Sequence, residues 1–392
     1  MKRLLDKYIT KMVRQGLAGE DSIFFLGLDA ELESNRPSEA GSTELARVFE
    51  MMNINSLLYA EPAEPYRSII CSLTEQGEEK LTPSDCETRT FLHDIPVIEE
   101  LKASEIFKAL SRRKAAIIRG KGIVAHGTVS PEQAFVSFSS ACFSAFVKFF
   151  TDIMFSLEDC RKKNLPADER TRRSFHDIVS KLPPDGISEN PVAPRVPEQE
   201  DDVYASIVKT GTALVDNRLV DSYFGNISYV HGNKIYISQT GSSLDELETC
   251  IDAVPLDGSS SAGITASSEL SAHIGIYRAT GKKAIIHGHP KFTVIQSMSC
   301  RREGCDLSTC YKTCRIPRFI DGIPVVSGEI GTGPTGLAHT VPEAMAGRNA
   351  VIVYGHGIFI AGSDNFSTPF DVMRTVEQKC RKEYFRAMRR LL

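Results

Sequence analysis

The sequence lacks the features that mark membrane, nucleic-acid-binding and disulfide-rich proteins. It has no unbroken apolar run of the roughly 18 residues that span a bilayer, and its first 19 residues are charged and amphipathic throughout, unlike a signal peptide. Lys and Arg (46) nearly balance Asp and Glu (50), so no general attraction to nucleic acid or an anionic surface is expected. Ten Cys in 392 residues are too few for a disulfide scaffold. We therefore expect a cytoplasmic protein with neither nucleic acid nor a membrane as its partner.

The composition that is present is that of a folded chain with more than one domain. Hydrophobic residues make up 42% and charged residues 24% of the sequence, which excludes disorder as the main state. A chain of 392 residues exceeds the size at which a single core stops growing. Residues 181–202 carry five prolines and no periodic apolar pattern. We predict that they form an extended linker between domains at 1–180 and 203–392.

Both predicted domains alternate amphipathic helices with short β-branched runs, a pattern typical of α/β domains. They also share three blocks in the same order: FLHDIPVI with FIDGIPVV, the segment from Arg113 with that from Arg348, and STELARVFEMMNINSLLYAEP with SSELSAHIGIYRATGKKAIIHGHP. Three matched blocks in one order indicate that the halves are tandem copies of one ancestral domain.

Three histidines of the second half suggest a metal site. His287 and His289 lie two residues apart at the end of a predicted strand, where alternate side chains share a face. His356 lies at another strand end, between two glycines. Neutral imidazoles are good zinc ligands, and three of them leave a coordination position for substrate or water. The pattern therefore predicts a catalytic metal centre.

The first half carries Tyr59, Glu61 and Lys121 at the positions that correspond to these histidines. All three candidate ligands are absent together, which is difficult to explain if the histidines only pack in a core. We therefore expect residues 1–180 to be a degenerate copy that holds no metal, and the chemistry to be confined to the second half.

Five short motifs of the second half occur in an order that resembles the class II aldolase and adducin family, in particular fuculose-phosphate aldolase. They are GNIS (225–228), QTGSS (239–243), SSE (267–269), HGH (287–289) and GHG (355–357). The resemblance implies tandem three-layer α/β/α domains with mostly antiparallel sheets. It also implies Zn²⁺, or another divalent transition metal, on His287, His289 and His356, and Glu269 as the acid/base.

The resemblance implies a lyase that cleaves or forms a carbon–carbon bond in a phosphorylated sugar or a related hydroxy-carbonyl compound. A metal-bound enediolate would be the intermediate, since a divalent cation stabilises the charge on its oxygens. Residues at the phosphate-binding motif positions are Asn226, Thr240, Gly241, Ser267 and Ser268. The sequence departs from the aldolase pattern at Tyr223, where a small hydroxylated residue is common.

Two other classes of function fit the same motifs. One is a sugar-phosphate dehydratase or epimerase, although the family's epimerases generally have Asp at the position of Glu269. The other is a metal-free binding module of the adducin type, against which the three retained histidines argue. Family active sites lie between subunits of cyclic tetramers, so we expect a homo-oligomer, a dimer that forms a pseudo-tetramer of aldolase-like domains.

A cysteine cluster follows the predicted metal strand and is absent from the basic aldolase pattern. Cys300, Cys305, Cys310 and Cys314 have C-x4-C-x4-C-x3-C spacing. Four thiolates in one loop would enclose a second zinc ion or an iron–sulfur cluster, although the spacing matches neither closely. The alternatives are reduced thiols in a surface loop, or a pair that forms a disulfide under oxidation.

Overall fold

The structure, a computed structural model, describes residues 1–184, 192–221, 223–259, 264–300, 302, 305–314 and 316–392. The chain divides into two compact units, Met1–Pro184 and Asp185–Arg390. Each contains one large mixed sheet flanked by helices, as expected for the α/β fold.

The first unit is a sheet covered by helices on both faces. Its helices are α1 (Lys2–Arg14), α2 (Ala40–Met51), α3 (Tyr66–Thr74), α4 (Cys86–Leu92), α5 (Ala103–Leu110), α6 (Pro131–Lys162) and α7 (Glu169–Ser180). Its strands are β1 (Ala18–Leu28), β2 (Leu32–Ser34), β3 (Ser56–Pro62), β4 (Lys80–Leu81), β5 (Ile95–Ile98), β6 (Ala115–Ile118) and β7 (Gly122–Gly127), in the order β2-β1-β3-β7-β6-β5-β4. Helices α2 and α5 pack on one face, and α6 packs against β3 and β7 on the other.

The second unit repeats this arrangement. Its helices are α8 (Glu200–Asp216), α9 (Leu270–Thr280), α10 (Lys291–Ser297), α11 (Leu337–Met345) and α12 (Ser367–Leu391). Its strands are β8 (Gly225–His231), β9 (Lys234–Ser238), β10 (Ile251–Pro255), β11 (Ala284–Gly288), β12 (Phe319–Ile320), β13 (Ile323–Val326), β14 (Ala350–Val353) and β15 (Gly357–Gly362), in the order β10-β9-β8-β11-β15-β14-β13-β12. Helices α9 and α11 cover one face, while α8 and α10 contact the sheet on the other.

The two sheets share one strand order, except that β10 extends the second and that the edge strands β4 and β12 come from segments that the repeat does not align. In each, one strand pair is parallel, β5 with β6 and β13 with β14, and the other pairs that the structure describes are antiparallel. The mostly antiparallel three-layer fold expected from the sequence is confirmed. Strands β3 and β11 occupy the same central position, which makes the residues of the two units comparable one by one.

The predicted linker overlaps a helix at its end. Helix α8 begins at Glu200, and a reciprocal pair of side-chain bonds between Gln199 and Asp202 caps it. A capping box of this kind satisfies two N–H groups that the first helical turn leaves free. The acidic residues at the end of the proline-rich stretch therefore start a helix. Residues 185–191 of the linker lie outside the described part of the chain.

Helix α6 is the one described helix whose length and composition would suffice to cross a membrane. Its 32 residues contain a stretch of mean hydropathy 1.4, of which 89% is buried inside the protein. Such burial is typical of the core helix of a folded domain. Several of its phenylalanines, among them Phe135, Phe138 and Phe150, are fully enclosed.

Candidate metal centre

Strand pairing brings the three histidines together at one end of the second sheet. In β11, His287 lies opposite Asn226 of β8 on one side and Phe359 of β15 on the other. His289 follows this strand directly. His356 lies in the tight turn between β14 and β15, where Gly355 adopts the left-handed conformation (φ 59°). Residues nearly 70 positions apart in the sequence therefore meet.

The ligand nitrogens of the three rings converge. Nε2 of His287 lies 2.8 Å from Nε2 of His289 and 3.2 Å from Nε2 of His356. A search of the described His, Cys, Asp and Glu side chains for ligand atoms close enough to share one ion finds these three histidines. All three are buried, with at most 3% of each residue exposed.

Burial disfavours the protonated form of two of these rings. It lowers the pKa of His287 to about 4 and the pKa of His289 well below its ordinary value, with neighbouring rings adding to the effect. Nδ1–H of His287 donates to the carbonyl oxygen of Ile358 at 3.1 Å. In the neutral ring this leaves the lone pair on Nε2, which faces the other two histidines.

The donor set fits a divalent transition metal. A cation among the three Nε2 atoms would bind their lone pairs, with each ring protonated at Nδ1. Nitrogens bound to Zn²⁺ at about 2.0–2.1 Å in a tetrahedron are about 3.3 Å apart, close to the 3.2 Å between His287 and His356 and longer than the 2.8 Å between His287 and His289. His287, His289 and His356 would hold the ion through Nε2.

Glu269 completes the cluster from the helix side. It immediately precedes α9, with 8% of the residue exposed. Its Oε1 lies 3.2 Å from Nε2 of His356 and its Oε2 lies 3.3 Å from Nε2 of His287. Burial alone would raise the pKa of Glu269, but His287, His356 and a hydrogen bond from Asn226 together lower it. A carboxylate is therefore present beside the imidazoles.

Three further polar groups lie behind Glu269, and their arrangement was not predicted. Nδ2 of Asn226 donates to Oε2 of Glu269 at 2.8 Å. Oδ1 of Asn226 lies 2.5 Å from Nε2 of His273, whose Nδ1 lies 2.7 Å from Oγ of Ser228. The spacing of four between Glu269 and His273 could have indicated this, because residues four apart share one face of a helix.

Two aromatic rings support the histidines, and one glycine makes room for them. Phe359 stacks on His287 with ring centroids 3.9 Å apart and planes 13° apart, and Phe224 stacks on His289 at 5.6 Å and 16°. A Cβ atom at Gly357 would lie 2.7 Å from the ring of His289 and 3.0 Å from that of His287. The site is thus closely packed as well as buried.

The predicted phosphate-binding residues lie around the start of α9. An antiparallel bridge between Gln239 and Ala266 joins two segments. One carries Thr240 and Gly241, and the other carries Ser267 and Ser268. Thr240, Gly241 and Ser268 are not enclosed, whereas Asn226 and Ser267 are buried. The amide of Asn226 is engaged with Glu269 and His273 within the protein.

The four cysteines of the described residues are not among the side chains whose ligand atoms converge closely enough to share an ion. Cys300, Cys305, Cys310 and Cys314 are free thiols, and they are absent from the groups of converging ligand atoms. Sγ of Cys310 donates to the carbonyl of Asp306 at 3.9 Å, and burial raises its pKa. The prediction of an iron–sulfur cluster here is not supported, and a second zinc site stays a prediction.

The first unit presents different chemistry at the same positions. Tyr59 pairs with Phe24 of β1 and Val124 of β7, as His287 pairs with Asn226 and Phe359 in the second unit. Glu61 forms an ion pair with Arg67 (3.4 Å), and Lys121 is exposed. The register derived from the sequence repeat is the one that the sheets adopt.

Comparisons with known proteins agree with the sequence motifs. The model of the Class II Aldolase and Adducin N-terminal domain matches residues 205–384. An L-fuculose phosphate aldolase of Methanococcus maripaludis (strain C7) is 30% identical over 165 residues, which cover 41% of this chain and 84% of that protein. The same enzyme of another strain of this species is 29% identical over 161 residues, or 40% of this chain and 83% of its own length.

Solved structures of aldolases are also similar. The L-fuculose-1-phosphate aldolase of Thermus thermophilus is 24% identical, with 48% of this chain and 96% of that chain covered and a TM-score of 0.39. A sugar-phosphate aldolase of Thermotoga maritima is 19% identical, covering 48% and 95%, with a TM-score of 0.35. By its family-model match and its curated relatives, the chain belongs to the class II aldolase and adducin family.

Proposed function

We propose that the second unit is a zinc-dependent, aldolase-type lyase that acts on a phosphorylated sugar or a related hydroxy-carbonyl compound. The observation that carries this proposal is the convergence of three buried imidazole nitrogens beside the carboxylate of Glu269. The names of the Methanococcus relatives support sugar phosphates as the substrate class.

When bound, a divalent cation supplies Lewis-acid stabilisation of the negative charge that develops on oxygen as a carbon–carbon bond breaks. His287, His289 and His356 would hold it, and burial lowers the pKa of His287 and His289, which favours the neutral, ligating form of these two rings. The carboxylate of Glu269 takes a proton from the substrate carbon in bond formation and returns it in cleavage. It lies 3.2 Å from a ligand nitrogen, within reach of anything bound there.

The phosphate group of the substrate would lie at the start of α9. The positive end of a helix and its free N–H groups attract anions. Ser268, Thr240 and Gly241 are accessible at this end, and Ser267 lies beside Glu269. We propose that they receive the phosphate, with Asn226 contributing only if its amide leaves Glu269.

For the first unit we propose a non-catalytic role as a degenerate copy of the aldolase domain. Its sheet has the same order, but Tyr59, Glu61 and Lys121 replace the three ligands. A cytoplasmic dimer would then contain four aldolase-like domains and two metal sites. Sedimentation equilibrium combined with metal analysis tests this arrangement, and a monomer with a complete, active site would contradict it.

Metal analysis and a substrate screen test the catalytic proposal. Purified full-length protein, reconstituted with Zn²⁺ and desalted, should retain one ion per chain. A panel of sugar phosphates should then yield dihydroxyacetone phosphate or an aldehyde with wild-type protein but not with Glu269→Gln. Loss of water from the substrate instead would favour a dehydratase. Failure to retain stoichiometric metal would favour an adducin-like binding module.

A further inference from the structure

A chain of buried hydrogen bonds runs from Glu269 into the interior of the second unit. It passes from Glu269 to Asn226 (2.8 Å), from Asn226 to His273 (2.5 Å) and from His273 to Ser228 (2.7 Å). His273 and Ser228 have no exposed surface, and Asn226 is 7% exposed. None of the last three groups is needed to ligate an ion. A buried polar network is costly unless every member is satisfied, so its presence requires a reason.

The network depends on a match between a helix and a strand. Glu269 and His273 are one helical turn apart, about 6 Å along the axis. Asn226 and Ser228 are two residues apart in β8 and therefore point to the same face, about 6.7 Å apart. That face carries α9, since Ile285, opposite Ser228, packs with residues of α9. The two side chains of the helix thus lie over the two side chains of the strand.

One assignment of protons satisfies every hydrogen bond of this network. Burial lowers the pKa of His273 to about 3, so the ring is neutral and carries one N–H group. Because Nδ2 of Asn226 donates to Glu269, its Oδ1 faces His273 and must accept from Nε2–H. Nδ1 of His273 then accepts from the hydroxyl of Ser228. Turning the amide over would place its oxygen against the carboxylate of Glu269, which is repulsive.

We propose that His273 is a positioning residue, whose Nε2–H holds the carboxamide of Asn226 in the orientation that donates to Glu269 and so keeps that carboxylate turned toward the three imidazoles. The proposal rests on the proposed function only for the statement that the three imidazoles faced by Glu269 bind a metal ion. The orientation of the amide is a property of the protein alone.

The first unit shows what happens to the glutamate when the network is missing. Phe24 and Leu26 occupy the strand positions of Asn226 and Ser228, and Val48 corresponds to His273 in the sequence repeat. Glu44 is retained at the position of Glu269, but it accepts from the backbone N–H of Ala103 at 3.1 Å, and its side chain is 32% exposed. The hydrogen-bond network and the histidine ligands are therefore absent together from the first unit. Its remaining glutamate, Glu44, faces helix α5.

Cobalt binding tests the proposal with a readout independent of turnover. We would titrate Co²⁺ into the full-length metal-free protein and into His273→Leu, His273→Gln, Asn226→Ala and the Asn226→Ala/His273→Leu double variant. The carboxylate of Glu269 lies 3.2–3.3 Å from two ligand nitrogens, so its negative charge favours a cation there, and turning it away should weaken Co²⁺ binding. Loss of a group outside the ligand set typically costs about 10- to 100-fold in metal affinity. We expect about that loss for His273→Leu and for Asn226→Ala. His273→Gln, which keeps a side-chain N–H, should bind within about threefold of wild type.

The double variant decides between positioning and general damage. If His273 acts through Asn226, the double variant should bind Co²⁺ no more weakly than Asn226→Ala, because the two effects are coupled. Losses that multiply would overturn the proposal, as would wild-type affinity in His273→Leu or failure of His273→Gln to restore binding. Urea unfolding of each variant identifies a loss that comes from misfolding.

A second measurement needs no metal. Nitrogen-15 NMR of the histidine rings in metal-free protein should show His273 neutral and protonated at Nε2, in wild type and in His287→Ala. The Nδ1–H tautomer would overturn the proposal. Failure of wild-type protein to bind Co²⁺, with the Nε2–H tautomer observed, would count against the proposed metal function and leave the positioning role standing.

Discussion

The two units have the same backbone at the candidate site and different side chains. The turns between β6 and β7 and between β14 and β15 each place a glycine in the left-handed region, Gly120 (φ 64°) and Gly355 (φ 59°). The next residues, Lys121 and His356, each donate a backbone bond to the strand before them, at 2.9 and 3.1 Å. This equivalence shows that strand pairing and turn geometry are maintained without the metal ligands.

The pair Glu44 and Glu269 adds a second lesson. Both occupy the position after the Ser-Ser or Ser-Thr pair of the repeat, yet Glu44 contacts Arg47 and Ala103 whereas Glu269 contacts Asn226 and two histidines. An identical residue at an equivalent position therefore does not imply an identical role. The surrounding polar groups decide which way the carboxylate faces.

The largest effect is expected from removing one ligand. His287→Ala should weaken Zn²⁺ binding by more than about 100-fold, the upper end of what loss of an outer-shell partner costs, because two imidazoles then remain. Isothermal titration with a competing chelator measures this. His339→Ala, which changes a histidine of α11 outside the cluster, is the control and should bind as wild type. Stoichiometric, tight metal in His287→Ala would place the site elsewhere.

The next effect concerns the two glutamates. Glu269→Gln should lower turnover of an identified substrate by about 100- to 10,000-fold, the usual contribution of an acid/base group, because an amide takes up no proton. Glu44→Gln should leave turnover unchanged, since Glu44 belongs to the unit without ligands. Steady-state kinetics under saturating Zn²⁺ makes the comparison. Equal losses in both variants would show that the first unit takes part in the reaction.

Buried histidine should make stability depend on pH. Burial lowers the pKa of His273 to about 3. Between about pH 6.5 and this pKa, the imidazole is therefore protonated in the unfolded chain but not in the native protein. The free energy of unfolding should therefore fall as the pH falls from about 6.5, by up to about 1.4 kcal/mol per pH unit for this residue.

His273→Gln removes that contribution and should give a correspondingly shallower dependence on pH. Urea unfolding of metal-free protein between about pH 7 and pH 4.5 measures the two slopes. The first unit, with Val48 at the equivalent position, lacks this titrating group. Parallel curves for wild type and His273→Gln would contradict the shift.

The smallest effect is expected at Glu44. Glu44→Ala removes a hydrogen bond to the first turn of α5 and a partly exposed ion pair with Arg47 (2.6 Å). The cost should be about 1 kcal/mol of unfolding free energy, typical of a single hydrogen bond, with metal affinity unchanged. Arg47→Ala is the matched variant: it should cost less, since exposed ion pairs contribute little. A larger cost in Arg47→Ala would assign the stabilisation to the ion pair.

Much of the fold was predictable because its determinants are local. Apolar β-branched runs separated by a Gly-x-Gly turn indicated the strand pairs, and three blocks of the two halves could be aligned with each other. His287 and His289 share a strand end, so their spacing alone predicted that they point together. His356 was a candidate from its place at another strand end between two glycines, and the family motifs then added Glu269.

The parts that were not predicted depend on pairings between distant segments. The bond between Asn226 and Glu269 joins residues 43 apart in sequence, and no local pattern reveals which atom of an amide faces which partner. For the cysteines the sequence showed the spacing but not the environment: Cys310 is 6% exposed and bonds to Asp306. The acidic residues before α8 resemble those of a linker, so the sequence did not reveal that they cap a helix beginning at Glu200.

Gly357 has a consequence for how such a protein can lose its chemistry. A single added carbon there would collide with the carbonyl oxygen of Gly288 and with the rings of His287 and His289. Replacing this glycine by alanine would thus disturb the metal site of the second unit, although all three histidines remained in the sequence. Inactivity in a homologous chain would then be invisible to any survey that checks only for the histidines, so the small residue at the start of β15 should be inspected along with them.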